Sequence, residues 1–245
     1  MNEVLAVVTS WKRPGSIPIV IESLRNQSVP VHVCLLACAQ GTDFGLPVSV
    51  RCSADTLIEF HKNDFGPCSR FIPPLMMPQF KWTLFAVDDH LMGPRYVEHL
   101  LATAERLNGK FATIGQQGRN LRDGELSGRR VMPQVGPEPA DCIITSELCL
   151  TADVPHALTF RSELLAKNPS VSTFEDDLIL CMGIQKAKGY PSIVAPAPDV
   201  ESCWNTRRLD APHALSARPN HRELRNEFVR TAIDCGWESK RGSCC

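Results

Sequence analysis

Val4 to Val8 is an unbroken apolar run rich in β-branched residues, the pattern of a strand buried on both faces. From Ser16 to Asn26 the period changes, and Ile17, Val20, Ile21 and Leu24 recur on one face of a predicted helix. Val31 to Ala37 is the next strand, with Gln40-Gly41-Thr42 as its turn. Strand, helix and strand in this succession open an α/β sheet of parallel strands.

Further on, Leu57 to Phe60 reads as a short strand. Asn63-Asp64-Phe65-Gly66-Pro67 opens a helix with Pro67 in its first turn, and Pro73-Pro74 and Pro78 are expected to end it. Trp82 to Val87 is another buried strand. Tyr96 to Leu107 is a helix with Leu100, Leu101 and Leu107 as apolar positions, closed by Asn108-Gly109, and Phe111 to Ile114 is a strand. Residues 115–141 lose periodicity and are rich in Gly, Pro, Gln and Arg, so a long functional loop or lid is expected. Order resumes at Ile143-Ile144. Helices follow near Pro155 to Lys167 and from Ser172-Thr173-Phe174-Glu175 to Lys188, the second ended by Gly189, with a last strand at Tyr190 to Val194. Residues 1–195 are therefore read as one α/β domain. Residues 196–245 form a Pro-punctuated, arginine-rich segment with one helix, Arg222 to Cys235, packing on or over the site.

A net charge of −1 supplies no global attraction to nucleic acid or an anionic membrane, so any such binding must be local. Eleven cysteines, odd in number and without a C-x-x-C pair, suit buried reduced thiols in a cytoplasmic protein rather than a disulfide framework or zinc ribbon. Met1 to Ser10 is too short an apolar stretch for a signal peptide, and no run reaches the ~18 residues of a membrane span. A soluble, cytoplasmic protein is the expectation.

The chemistry concentrates in two acidic clusters. Trp82–Val87 ends in Asp88-Asp89-His90, at the end of a strand where open α/β sheets bind ligands. A helix cap needs one Asp, and Gly93-Pro94 delays the next helix too far for that role. Asp88 and His90, two residues apart on an extended strand, would point the same way and suit a divalent cation on a diphosphate. Glu175-Asp176-Asp177 forms the second cluster. Ser172-x-x-Glu175 fits a capping box, which makes Glu175 structural, yet three consecutive acids exceed what capping needs. Crowded carboxylates raise one another's pKa, as a general base requires. Asp176 is the expected base, with Asp177 the fallback. Arg70 suits phosphate or sugar, and Lys12 and Arg13 of the first loop suit a nucleotide. His213 and His221 each could complete a metal site, and His221 is preferred. Arg119, Arg122, Arg129 and Arg130 in the long loop, and Arg207, Arg208, Arg218, Arg222, Arg225 and Arg230 in the tail, are locally basic.

Together these motifs resemble the glycosyltransferases of the GT-A fold. Val7-Val8-Thr9-Ser10-Trp11-Lys12-Arg13-Pro14 with the helix after it resembles that family's nucleotide-binding start. Asn63-x-x-Gly66-Pro67-x-x-Arg70 resembles the Gly-Pro-x-x-Lys/Arg segment of some bacterial and exostosin-like members. Asp88-Asp89-His90 resembles the D-x-D metal motif in the D-x-H form of the polypeptide N-acetylgalactosaminyltransferases, which also place a C-terminal histidine on the metal. Glu175-Asp176-Asp177 resembles the E-D motif, whose Asp is the base of inverting enzymes. The ordered matches run from Val4 to Gly189.

The resemblance implies a single Rossmann-like GT-A domain, α/β, with a mostly parallel central sheet flanked by helices. It implies Mn²⁺ or Mg²⁺ on Asp88, His90 and His221, and a nucleotide-diphosphate sugar donor, UDP-sugar favoured. Thr9, Lys12, Arg13, Asp64, Arg70, Asp88 and Asp89 would bind that donor. Asp176, with Asp177 and Glu175 beside it, would deprotonate an acceptor hydroxyl, or orient the sugar if the enzyme is retaining. The acceptor is a glycan or, as in phage-type enzymes acting in a host cytoplasm, hydroxymethylated pyrimidine in DNA, to which the basic clusters lean. A nucleotidyltransferase would share the sheet but should carry a glycine-rich first loop, where this chain has only Gly15. A non-catalytic nucleotide-binding module would have no use for Asp176, and a nucleotide-sugar hydrolase would need no acceptor.

Overall fold

The computed structural model describes residues 3–10, 14–38, 47–60, 66–122, 125, 130–131, 136–171, 174–197, 207–208 and 219–243. The first half is a run of parallel strands. β1 (Val4–Ser10) lies between β2 (Val31–Cys38) and β4 (Trp82–Ala86), and β3 (Thr56–Phe60) pairs with β2 at the edge. The second half adds β6 (Ile114–Gly115), β9 (Glu138–Ala140), β11 (Glu147–Leu150) and β12 (Ser192–Val194). The eight strands run in the order β3-β2-β1-β4-β11-β6-β12-β9, with β11 and β9 antiparallel to their neighbours.

Alternation along β1 shows why Val4 to Val8 are all apolar. Val4, Ala6 and Val8 enter one core and Leu5 and Val7 the other. Helices α1 (Ile17–Arg25) and α4 (Tyr96–Arg106) cover the first face, with Ile17, Val20, Ile21 and Leu24 all buried as their spacing predicts. Helices α5 (Val154–Lys167), α6 (Asp176–Lys188) and α7 (His221–Asp234) supply the other face, through Phe160, Leu178 and Phe228. Short helices α2 (Val48–Arg51) and α3 (Ile72–Met76) complete the set among the described residues. No helix among the described residues is long and apolar enough to cross a membrane.

Three expectations change. Pro73 and Pro74 do not end a helix. A 3₁₀ turn, Pro67–Phe71, runs into α3, and the prolines occupy its first turn, where the missing N–H groups have no partner to lose. The segment 115–141 is not wholly irregular. It holds β6, β9 and two strands of a small antiparallel sheet, β7 (Gly118–Arg119) and β8 (Arg130–Val131), alongside β10 (Cys142–Ile143). Their two- and three-residue lengths leave no readable period. The capping box also fails, because Glu175 itself stands at the N-cap of α6 and its side chain does not cap.

Helices α5 and α6 meet backbone to backbone at Gly183. A Cβ there would lie 2.9 Å from both the Ala157 Cα and the His156 carbonyl oxygen. Gly183→Leu should therefore overpack the contact by roughly 1–3 kcal/mol or more. At about 2–4 °C per kcal/mol for a chain of this size, a thermal melt should show a clear drop in Tm. An unchanged Tm would mean the helices separate without cost.

Candidate functional site

β4 carries its last apolar residues to the C-terminal edge of the parallel strands and stops at Ala86. Asp88, Asp89 and His90 follow at 6, 8 and 9% exposure, buried although charged or polar. They do not continue one strand. The chain turns at residues 88–89, and His90 begins β5 (His90–Leu91), so the two-residue period that would align Asp88 with His90 does not apply. The His90 Nε2 lies 3.9 Å from Asp89 Oδ1. The Val87 N–H donates to Ser146 Oγ at 3.3 Å, tying the turn to the loop before β11. β5 pairs with β13 (Arg207–Arg208), setting Arg208 opposite His90.

The second acidic cluster reaches this region through Arg70. Gly66 (φ +68°) turns the chain into the 3₁₀ segment that carries Arg70 inward. Its guanidinium lies over the Phe85 ring, 4.7 Å from the centroid, and Phe85 precedes Asp88 by three residues on β4. Arg70 Nη1 donates to Asp176 Oδ2 at 2.5 Å, and Nη2 donates to Glu147 Oε1 at 3.5 Å. Glu147 sits opposite Phe85 in the β11–β4 register. Burial pushes the Asp176 carboxyl above the usual Asp range, with Arg70 opposing. Burial raises Glu147 well above the ordinary Glu value, again against Arg70.

The acids on either side of Asp176 have a different partner. Arg225 on α7 donates through Nε to Glu175 Oε2, and its Nη2 lies 3.5 Å from Asp177 Oδ2. His221, the first residue of α7, places Nδ1 3.7 Å from Glu175 Oε1. Burial pushes Glu175 up to about 7 despite Arg225. Two arginines thus divide three consecutive acids, Arg70 taking Asp176 while Arg225 takes Glu175 and Asp177.

The structure brings Arg70 to Asp176 and leaves Asp88, Asp89 and His90 near the same strand end. It does not assemble Asp88, His90 and His221 as one cage. His221 faces Glu175, and among the described residues no group of three or more His, Cys, Asp or Glu side chains is placed to hold a metal. Asp88 and His90 remain a donor pair, a carboxylate and an imidazole buried at one turn. That set fits a cation which keeps waters and takes its other ligands from substrate phosphates. Thr9, near the end of β1, pairs in register with Leu36. Lys12, Arg13, Asp64 and His213 lie outside the described residues.

Neither any protein-family model nor any curated protein significantly matches the sequence. Solved structures do match the fold. Staphylococcus aureus TarS 1–349 in complex with UDP superposes with a TM-score of 0.54 at 13% identity, covering 98% of this chain and 68% of that one. The mannosyltransferase PcManGT from Pyrobaculum calidifontis, in complex with GDP-Man and Mn²⁺, gives 0.52 at 15% identity, covering 95% and 73%. This is the GT-A glycosyltransferase fold. The chain spans 61% of another TarS 1–349 structure and 35% of a longer TarS chain.

In this GT-A fold the mostly parallel sheet positions the site. Sequence reasoning missed Glu147 and the pairing role of Arg225. Glu147 is one acid in the apolar run Glu147-Leu148-Cys149-Leu150, and that lone charge was the available signal.

Proposed function

We propose that this protein is a metal-dependent glycosyltransferase that moves a sugar from a nucleotide-diphosphate donor, UDP-sugar favoured, to an acceptor hydroxyl. The observation that carries the reading is the pair of acidic groups at the end of β4. The Asp88–His90 turn ends the strand, and Asp176 reaches the same strand through Arg70 on Phe85. The GT-A fold and neighbours bound to UDP or to GDP-Man with Mn²⁺ support it.

Asp88 and His90 would hold Mn²⁺ or Mg²⁺, which when bound neutralises the diphosphate leaving group. Asp176 accepts the acceptor hydroxyl proton, its basicity raised by burial and its orientation held by Arg70. Glu175 and Asp177, held by Arg225, keep the start of α6 in place.

Calorimetric titration with UDP and GDP, each with and without Mn²⁺, tests the donor half. Tight binding of UDP only with Mn²⁺ is expected. Asp88→Ala should weaken that binding at least about tenfold, or 1.4 kcal/mol, with the fold intact by circular dichroism. Wild-type affinity in Asp88→Ala would remove Asp88 from the site, and no binding of either nucleotide would overturn glycosyl transfer.

A further inference from the structure

Glu147 is a charged residue type with no exposure at all, on a strand in the middle of the eight-stranded sheet. Chains do not bury a carboxyl without partners, because desolvation costs several kcal/mol. Its partners are specific. Cys181 Sγ on α6 lies in hydrogen-bond contact with Oε2 at 3.2 Å, and Arg70 Nη2 lies against Oε1 at 3.5 Å. The same guanidinium stacks on Phe85 and donates through Nη1 to Asp176. Arg70 is therefore held on three sides, by a ring below, Glu147 behind and Asp176 in front.

The charges do not balance if both acids ionise. One guanidinium faces two carboxyls whose side chains are 0% exposed at Glu147 and 13% at Asp176. Two carboxylates would leave a net negative charge beside a guanidinium that is itself almost wholly buried. The proton belongs on the deeper group, because its charged form loses most solvation. Burial raises Glu147 in that same direction, and the Cys181 thiol, also raised by burial, keeps its own proton, so Sγ accepts the Glu147 O–H at Oε2 while its S–H turns to the Ile143 carbonyl oxygen at 3.8 Å. An uncharged Glu147 still offers Arg70 an oxygen while leaving the cation's charge to Asp176.

We infer that Glu147 is a positioning residue, an uncharged carboxyl buried behind Arg70 that fixes the guanidinium on Phe85 so that Asp176 is the carboxylate it neutralises and aims. The inference rests on the glycosyl-transfer reading for its reaction, but its geometry is independent of that reading.

Two variants separate positioning from mere packing. Glu147→Leu keeps the volume and removes both oxygens. Glu147→Gln keeps an oxygen for Arg70 and matches a neutral acid in charge. In Glu147→Leu, kcat for nucleotide release from the sugar donor should fall roughly 10²-fold, the scale of a misplaced reacting group, while the donor KM and calorimetric UDP affinity stay within about twofold. Glu147→Gln should recover most of kcat. Asp176, followed by ¹³C-carboxyl NMR and assigned with Asp176→Asn, should titrate about one unit higher in Glu147→Leu and near wild type in Glu147→Gln. Crystal structures should show Arg70 displaced from Phe85 in the first variant only.

Wild-type kcat and Asp176 titration in Glu147→Leu would overturn the inference. So would a parallel loss of UDP affinity, which would make Glu147 structural. If Glu147→Leu does not fold, Glu147→Gln decides alone. A kcat loss above tenfold or a lowered Asp176 midpoint would show that Glu147 acts as a charged carboxylate, against the proposal. No nucleotide binding or turnover in the unmodified protein would overturn glycosyl transfer instead, and the titration and the Arg70 position would still decide what Glu147 does.

Discussion

Asp176→Asn is expected to lower turnover by about 10²–10⁴-fold while leaving Mn²⁺-dependent UDP affinity within about twofold. The amide keeps the shape of the carboxyl and can still accept from Arg70, so the change removes chiefly the capacity to take a proton. Asp177→Asn should be milder, because that carboxylate lies beside Arg225 and its Oδ1 accepts from the Leu178 N–H. Measuring kcat and KM for both variants with one donor distinguishes them. If Asp177→Asn carries the large loss and Asp176→Asn does not, the base has been assigned to the wrong neighbour. The wild-type pH profile offers a second check. Because burial raises Asp176 above the ordinary Asp value of 3.8, the acid limb of kcat should lie above that value, with activity lost as pH falls through it.

Arg70→Met should be the most destabilising single change at the site. Arg70 is the cation paired with Asp176 and Glu147, the first largely and the second wholly buried. Removing one partner of a buried ion pair costs about 3–5 kcal/mol, because the charge left behind has neither water nor counterion. For a chain of this length that is a fall in Tm of roughly 10 °C. The loss should depend on pH in a stated direction. Without Arg70 both carboxyls would titrate still higher in the folded chain than in the unfolded one. Over the window between those values the folded state binds more protons, so its stability falls as pH rises. The deficit against wild type should be smaller at pH 5 than at pH 8. Equal deficits at the two pH values would show that the loss is one of packing against Phe85, not of charge.

Much of the fold was legible because burial on both faces demands continuous apolar runs. β1 carries one from Val4 to Val8, β2 and β4 are interrupted only at His32 and Thr83, and one-sided helices such as α1 carry a period of 3.6. β11 was not legible. Its four residues include Glu147, and a charge in so short a run reads as a loop. The strands of 115–141 were hidden for a similar reason, their pairing being supplied by partners distant in sequence.

At the site, the sequence by itself determined which residue types exist and where each sits along its own element. Asp88-Asp89-His90 ends a buried strand, Glu175-Asp176-Asp177 starts a helix, and Gly66-Pro67 precedes an arginine. Only the tertiary structure decided who meets whom. Arg70 crosses 106 positions to Asp176, Arg225 crosses 50 to Glu175, and His221 turns to Glu175, with no metal cage assembled from it. The reason is physical. Local pattern records burial, which each residue reports alone, whereas charge pairing depends on distances that chain folding sets between elements remote in sequence.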